Sequence, residues 1–178
     1  MRSAWKTSAM RQRRSSTVWI SIVMWRSPGI LVSTAQNLHS EYTSFPAADI
    51  FTILPSGGTV ESVGSVAGKQ AVLAPTFTGS LAPTYRIGSS HGNFDSTITY
   101  SYNSGYFATV DNRLRQPSYG SLGASVKYST INDKYWVKLW GSNLTNVART
   151  SLLSFAGFGA EAIYDAPRTY GITFGVKL

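Results

Sequence analysis

Three short stretches place reactive residue types at spacings that matter. Gly88-Ser89-Ser90-His91-Gly92 matches the G-x-S-x-G frame of a nucleophile elbow. That device needs a strand before the serine and a helix after it, so that a sharp turn presents the hydroxyl. Here another alternating stretch follows from Phe94, and the chain has only 2 histidines. A tight turn between strands is the expectation. His39-Ser40-Glu41 matches the first half of a zinc-deaminase signature, whose second half supplies two cysteines. The chain has no cysteine, which also removes disulfides, thiolate metal sites and thiol nucleophiles. His39 and Glu41 are expected to share one face of a strand. Residues 64–69 fall one position short of a phosphate-binding loop, and Gln70 stands where Ser or Thr is required. No catalytic, cofactor or metal site is expected, and the chain reads as a non-enzyme.

A binding constellation remains. Tyr100, Tyr102, Tyr106, Phe107 and Tyr119 gather around one connection that also carries Arg113 and Arg115. Aromatic faces stack on ligands, and guanidinium groups pair with anions. Tyr106, Phe107 and Arg113 are the candidate ligand contacts. The wider aromatic set reads as a girdle at a membrane interface.

The elements that must position these residues are strands. Hydrophobic residues make up 43% of the chain and charged residues only 13%, about half the usual charge of a soluble domain. No apolar run approaches the ~18 residues that a spanning helix needs. Strands that are apolar on alternate residues reconcile the two facts, in a transmembrane barrel or in a soluble sandwich. Alternation is clearest in 94–103, 119–129 and 168–178. In the last of these, Tyr170, Ile172, Phe174, Val176 and Leu178 oppose Gly171, Thr173, Gly175 and Lys177. Further strands are expected at 30–43, 76–87 and 135–144, with Pro83 as the weak point of the second. The connections at 46–75, 104–117 and 146–166 read as loops. Those at 88–93 and 130–134 read as tight turns, the latter with Asn132-Asp133 at its tip. Long connections alternating with short ones are the pattern of an up-and-down membrane barrel.

Residues 1–28 differ from the rest. Arg2, Lys6, Arg11, Arg13, Arg14 and Arg26 stand there with no acidic residue, so most of the net charge of +8 belongs to this stretch. A basic lead followed by TVWISIVMW imitates a secretory signal. Arg26 and Pro28 then interrupt it ahead of Ser33-Thr34-Ala35, the small residues that resemble a cleavage site. An atypical, poorly ordered leader is expected at 1–28 and a barrel portion at 29–178. The nearly neutral body argues against a nucleic-acid partner.

Two motifs near the end carry a family resemblance. Trp140-Gly141-Ser142-Asn143-Leu144-Thr145-Asn146 resembles the W-G-x-N-L-T-N segment of TonB-dependent outer-membrane receptors. Ala166-Pro167-Arg168-Thr169-Tyr170-Gly171 resembles the opening of their final strand. The marked residues are Trp140, Gly141, Asn143, Leu144, Asn146, Pro167 and Arg168. Residues 102–106, 111–113 and 119–120 are similar to the hairpin before it. The resemblance implies an all-β, antiparallel chain forming about the last six strands of a 22-stranded barrel, without the N-terminal plug. It implies an outer-membrane location, lipid and the remaining strands and plug as partners, and contact with TonB only through the part not included here. Tyr170, Ile172, Phe174 and Leu178 would form the terminal signal read by the barrel-assembly machinery; the family most often ends in Phe rather than Leu. Such receptors import ferric siderophores, vitamin B12, haem or oligosaccharides. Two other readings stay open at this point: a remnant or misread frame of such a receptor, and a soluble sandwich binding carbohydrate.

Overall fold

A computed structural model describes residues 10–24 and 29–177. The described residues contain no helix. The strands are β1 (Arg11–Met24), β2 (Gly29–Ser44), β3 (Ala48–Ile53), β4 (Thr59–Gly64), β5 (Phe77–Ser89), β6 (Gly92–Asn103), β7 (Tyr106–Phe107), β8 (Arg115–Gln116), β9 (Tyr119–Thr130), β10 (Tyr135–Ser142), β11 (Thr150–Ala156), β12 (Gly159–Tyr164) and β13 (Thr169–Val176). The long strands form one seven-stranded antiparallel sheet in the order β1-β2-β5-β6-β9-β10-β13. Every neighbour in that sheet is also the next long strand in sequence, so the chain runs up and down.

Because the sheet is a meander, its connections sort by length to the two ends. At one end lie the two tight turns expected from sequence, after β5 and after β9. In the second, Asp133 adopts φ 54°, and the Thr130 hydroxyl takes the Tyr135 N–H at 3.1 Å. At the other end lie the three long connections. Each was expected to be plain loop, and each instead carries its own two-stranded ladder: β3–β4, β7–β8 and β11–β12. Within the stretch 1–28 expected to be a poorly ordered leader, Arg11–Met24 forms β1, which pairs with β2 from Arg11↔Ser44 to Met24↔Ile30, while residues 1–9 and 25–28 of that expectation lie outside the described residues. The physical reason is composition: Thr, Val, Trp and Ile are strong strand formers whatever precedes them. The sheet therefore has seven strands where six were expected. Pro83 sits inside β5 opposite Leu31, and pairing with β6 lapses at 82–83, where no N–H is available to donate.

Ladder partners share a face, so the register sorts the side chains. One face carries Leu81, Tyr85, Ile87, Phe94, Ile98, Tyr100, Tyr102, Val126, Leu139, Tyr170, Ile172, Phe174 and Val176, all exposed. The other carries Thr34, Ser80, Thr84, Thr97, Ser101, Ser121, Ser125 and Thr173, with hydroxyl bonds such as Thr34–Ser80 at 2.7 Å and Thr84–Thr97 at 3.1 Å. The soluble sandwich is not formed, since no second sheet covers the apolar face among the described residues. The buried core is small and lies wholly in the long connections and the adjoining end of β2: Tyr42, Ala48, Val66, Ala71 and Ala74, edged by Leu38, Phe45, Ile50 and Val110.

Close packing on the polar face joins the last two strands. Trp136 lies over Gly175 and Trp140 over Gly171, each directly across the ladder. A side chain at Gly175 would collide with the indole of Trp136. The variant Gly175→Val is expected to lose about 1–3 kcal/mol by overpacking. Urea unfolding of the chain folded in detergent micelles, followed by tryptophan emission, measures it. An unchanged midpoint would show that Trp136 does not pack there.

Candidate functional site

The three long connections converge into a braced cap over one end of the sheet. Gln70 N–H donates to Asn112 Oδ1 at 2.8 Å, and Asn112 Nδ2 returns a bond to Gln70 O at 2.9 Å. Leu73 N–H donates to Phe107 O at 2.9 Å. Thr59 Oγ1 reaches Ala156 O at 2.8 Å, and the rings of Phe51 and Phe155 lie 5.8 Å apart. Gln116, 3% exposed, accepts from both the N–H and the hydroxyl of Thr150 at 2.8 and 2.7 Å. Each connection is thus tied to the other two.

The sequence-derived ligand contacts sit in this cap, engaged with protein. Arg113 Nη1 donates to Phe51 O at 2.9 Å and to Thr52 Oγ1 at 2.7 Å, while its Nε stands 3.4 Å from the buried carboxylate of Asp111. Tyr106 donates its hydroxyl to Thr150 O at 3.3 Å. Phe107 carries the Arg115 guanidinium 5.7 Å from its ring centre. These side chains hold the cap together, and in this arrangement their polar atoms face protein.

The expected aromatic girdle divides. Tyr100 and Tyr102 lie on the apolar face near the cap, joined by Phe77, whose ring centre is 6.2 Å from that of Tyr102. Tyr119 pairs with Asn103 and so belongs to the polar face; the girdle does not include it. Tyr106 and Phe107 lie in β7 of the cap. A second aromatic row occupies the turn end of the apolar face: Tyr85, Phe94, Tyr128, Tyr135 and Phe174, with Phe94 and Tyr128 centred 4.9 Å apart. From Phe94 to Tyr102 the strand rises about 26 Å, and aliphatic residues fill the band between.

The motif residues are brought together as a clasp. Asn143 and Asn146 both take positive φ, 49° and 53°, a conformation that Asn tolerates better than most residues. Asn143, 5% exposed, donates through Nδ2 to Val147 O at 3.0 Å and Ala166 O at 3.3 Å, and accepts from Val147 N–H at 3.0 Å. Asn146 Oδ1 takes the Arg168 N–H at 3.1 Å. Leu144 covers Gly141 and donates its N–H to Leu122 O at 2.7 Å. Trp140 Nε1 donates to Thr173 Oγ1 at 3.1 Å. The clasp delivers the chain through Pro167 into β13, where Tyr170, Ile172 and Phe174 project from the apolar face. Leu178 lies outside the described residues.

The other sequence matches resolve simply. The G-x-S-x-G residues form the strand-to-strand turn between β5 and β6, with Ser90 Oγ 3.1 Å from His91 Nδ1 and no helix behind them. His39 and Glu41 share a face, 3.9 Å apart. No group of three or more potential metal ligands occurs among the described residues.

Two solved structures share this architecture. The ferric yersiniabactin uptake receptor FyuA from Yersinia pestis aligns with 92% of this chain at TM-score 0.76 and 15% identity. The siderophore receptor PiuA from Acinetobacter baumannii aligns with 92% at TM-score 0.69 and 15% identity. This chain spans 23% of the length of the first and 21% of the second. No protein-family profile and no curated protein matches the sequence. At this identity the likeness is one of fold: the chain is an antiparallel β assembly built like a part of these receptors, as its C-terminal motifs imply.

Asn143→Ala removes three hydrogen bonds and puts a β-carbon residue with no local hydrogen bond at positive φ. It is expected to destabilise by roughly 2–4 kcal/mol, read as a lower urea midpoint in micelles. A change below about 0.5 kcal/mol, the range of a neutral surface substitution, would remove the clasp from the account.

Proposed function

We propose that this chain forms a section of the wall of an outer-membrane uptake receptor of the TonB-dependent kind. Its apolar face meets lipid and its hydroxyl-rich face meets the interior. The observation that carries the reading is the uncovered apolar face. A sheet buries its apolar side against another layer in water, and here the aliphatic band is flanked by two aromatic rows, as lipid-facing barrel walls are. The fold shared with two siderophore-uptake receptors supports the same reading.

In this role the chain does no covalent chemistry. It supplies strands, a braced outer cap and a terminal strand whose Tyr170, Ile172 and Phe174 present an apolar row to the assembly machinery. Energised import would depend on the remaining strands, a plug and a TonB-contacting segment. A 22-stranded barrel would complete the sheet beyond its edges at β1 and β13. The cargo classes of such receptors, from ferric siderophores to oligosaccharides, are not separated by any residue of the cap.

Leu139 lies mid-strand on the apolar face and Ser125 lies one row away on the polar face. Leu139→Arg is expected to cost about 2–4 kcal/mol in phospholipid vesicles, and Ser125→Arg much less. Equilibrium unfolding in vesicles compares them. Equal costs, or a chain that folds as a monomer in buffer without lipid or detergent, would contradict the proposal.

A further inference from the structure

The polar face carries one transverse row of charge. Arg86 stands opposite Asp95, Asp95 opposite Lys127, Lys127 opposite Lys138, and Lys138 opposite Thr173. Asp95 is taken by its ion pair with Arg86. Lys127 and Lys138 are left as direct cross-strand neighbours, with Cβ atoms about 5 Å apart, a placement that destabilises like charges. The Lys127 ammonium lies 5.2 Å from the ring centre of Trp136. Lys138 makes no ion pair among the described residues. Trp136 and Trp140, two positions either side of Lys138, lie on the same face. Both lysines are half-buried.

The neighbouring rows sharpen the contrast. Where Thr84 meets Thr97, and Ser101 meets Ser121, hydroxyls face hydroxyls. Among the described residues, only this row sets two cations directly opposite each other. Two concavities adjoin it. One of about 720 Å³ is lined by the cations Arg86, Lys127 and Lys177, by Trp136, and by the carboxylates Asp95 and Asp133, of which Asp95 is paired with Arg86. The next, of about 440 Å³, includes Lys138, Trp140 and Arg149.

We propose that the Lys127–Lys138 step is a binding site for a small multivalent oxyanion, a phosphate or a polycarboxylate. A dianion bridging the two ammonium groups turns their repulsion into two charge-assisted hydrogen bonds. Trp136, already in contact with Lys127, reports occupancy. The site rests on the reading of this face as open to water in a lumen.

The test uses the full chain folded in detergent micelles. Inorganic phosphate and citrate are titrated separately at constant ionic strength, with glucose as the neutral control, following tryptophan emission and thermal unfolding. Saturable changes with phosphate, citrate or both, each raising the melting temperature, are expected, and the stronger probe assigns the oxyanion chemistry. Lys127→Gln and Lys138→Gln should each weaken binding by about tenfold or more. Without anion, Lys138→Gln should melt higher than the parent at low salt, because the like-charge pair is gone. A saturable response that survives the double variant, or no response to either anion in the folded parent chain, overturns the site. Vesicle insertion read in parallel separates the two claims. A chain that inserts but binds neither anion loses only this site, whereas a chain that does not insert loses the lumen on which it rests.

Discussion

A sheet with one apolar face and no protein layer to cover it is the constraint on which this structure depends. Five of the seven long strands, β5, β6, β9, β10 and β13, expose large aliphatic and aromatic side chains on one side, while the buried core among the described residues is a handful in the connections and the end of β2. In water that side would associate or aggregate. In lipid it becomes the stabilising surface, and other features follow from it. Charge is scarce because half of every strand must be apolar. The aromatic rows mark the two ends of the band. The hydroxyl face satisfies its own polar groups strand to strand. In the proposed lipid setting the two sheet edges, β1 and β13, would need neighbours, because lipid offers backbone groups no hydrogen bond.

The C-terminal motifs act as joinery within that frame. Asn143 and Asn146 bend the chain out of β10 with positive φ, and their amides hold the carbonyl of Ala166 and the N–H of Arg168. The beginning of β13 is therefore fixed before its first ladder pair, Ser142↔Thr169. Trp136 and Trp140 then lock the two strands by lying over glycines. Residues that look like a recognition signature in sequence are, in the fold, what sets the register of the last strand.

Much of the sheet was legible because period-two alternation is a local property. Residues 94–103 and 119–129 show it plainly, and the turn at Asn132-Asp133 fixes the hairpin between its strands. Three features were hidden for different reasons. β1 begins with arginines and has a short apolar run, so it imitates a targeting segment, although TVWISIVM has the composition of a strand. Two of the three cap ladders, β3–β4 and β11–β12, flank Gly-containing turns whose local signal is loop; pairing across Gly57-Gly58 and across Gly157-Phe158 makes them strands. Tyr119 was misplaced because face membership depends on register, and one residue of shift moves a side chain to the opposite face. Tyr106, Phe107 and Arg113, read from sequence as candidate ligand contacts, also have partners within the fold. Aromatic and guanidinium groups that suit a ligand also suit neighbouring loops, and here Phe51, Thr52 and Thr150 meet them. The Lys127–Lys138 pair was written in the sequence, but its meaning emerges only when β9 and β10 are aligned.

The central claim is that the two faces of one sheet see two solvents. Nitroxide labels placed one at a time along β13, from Tyr170 to Val176, test it most directly, with the chain folded into phospholipid vesicles. The account predicts a period of two: labels at Tyr170, Ile172, Phe174 and Val176 collide with oxygen dissolved in lipid, and labels at Gly171, Thr173 and Gly175 collide with a water-soluble nickel chelate. Equal access of the chelate to both sets would contradict it.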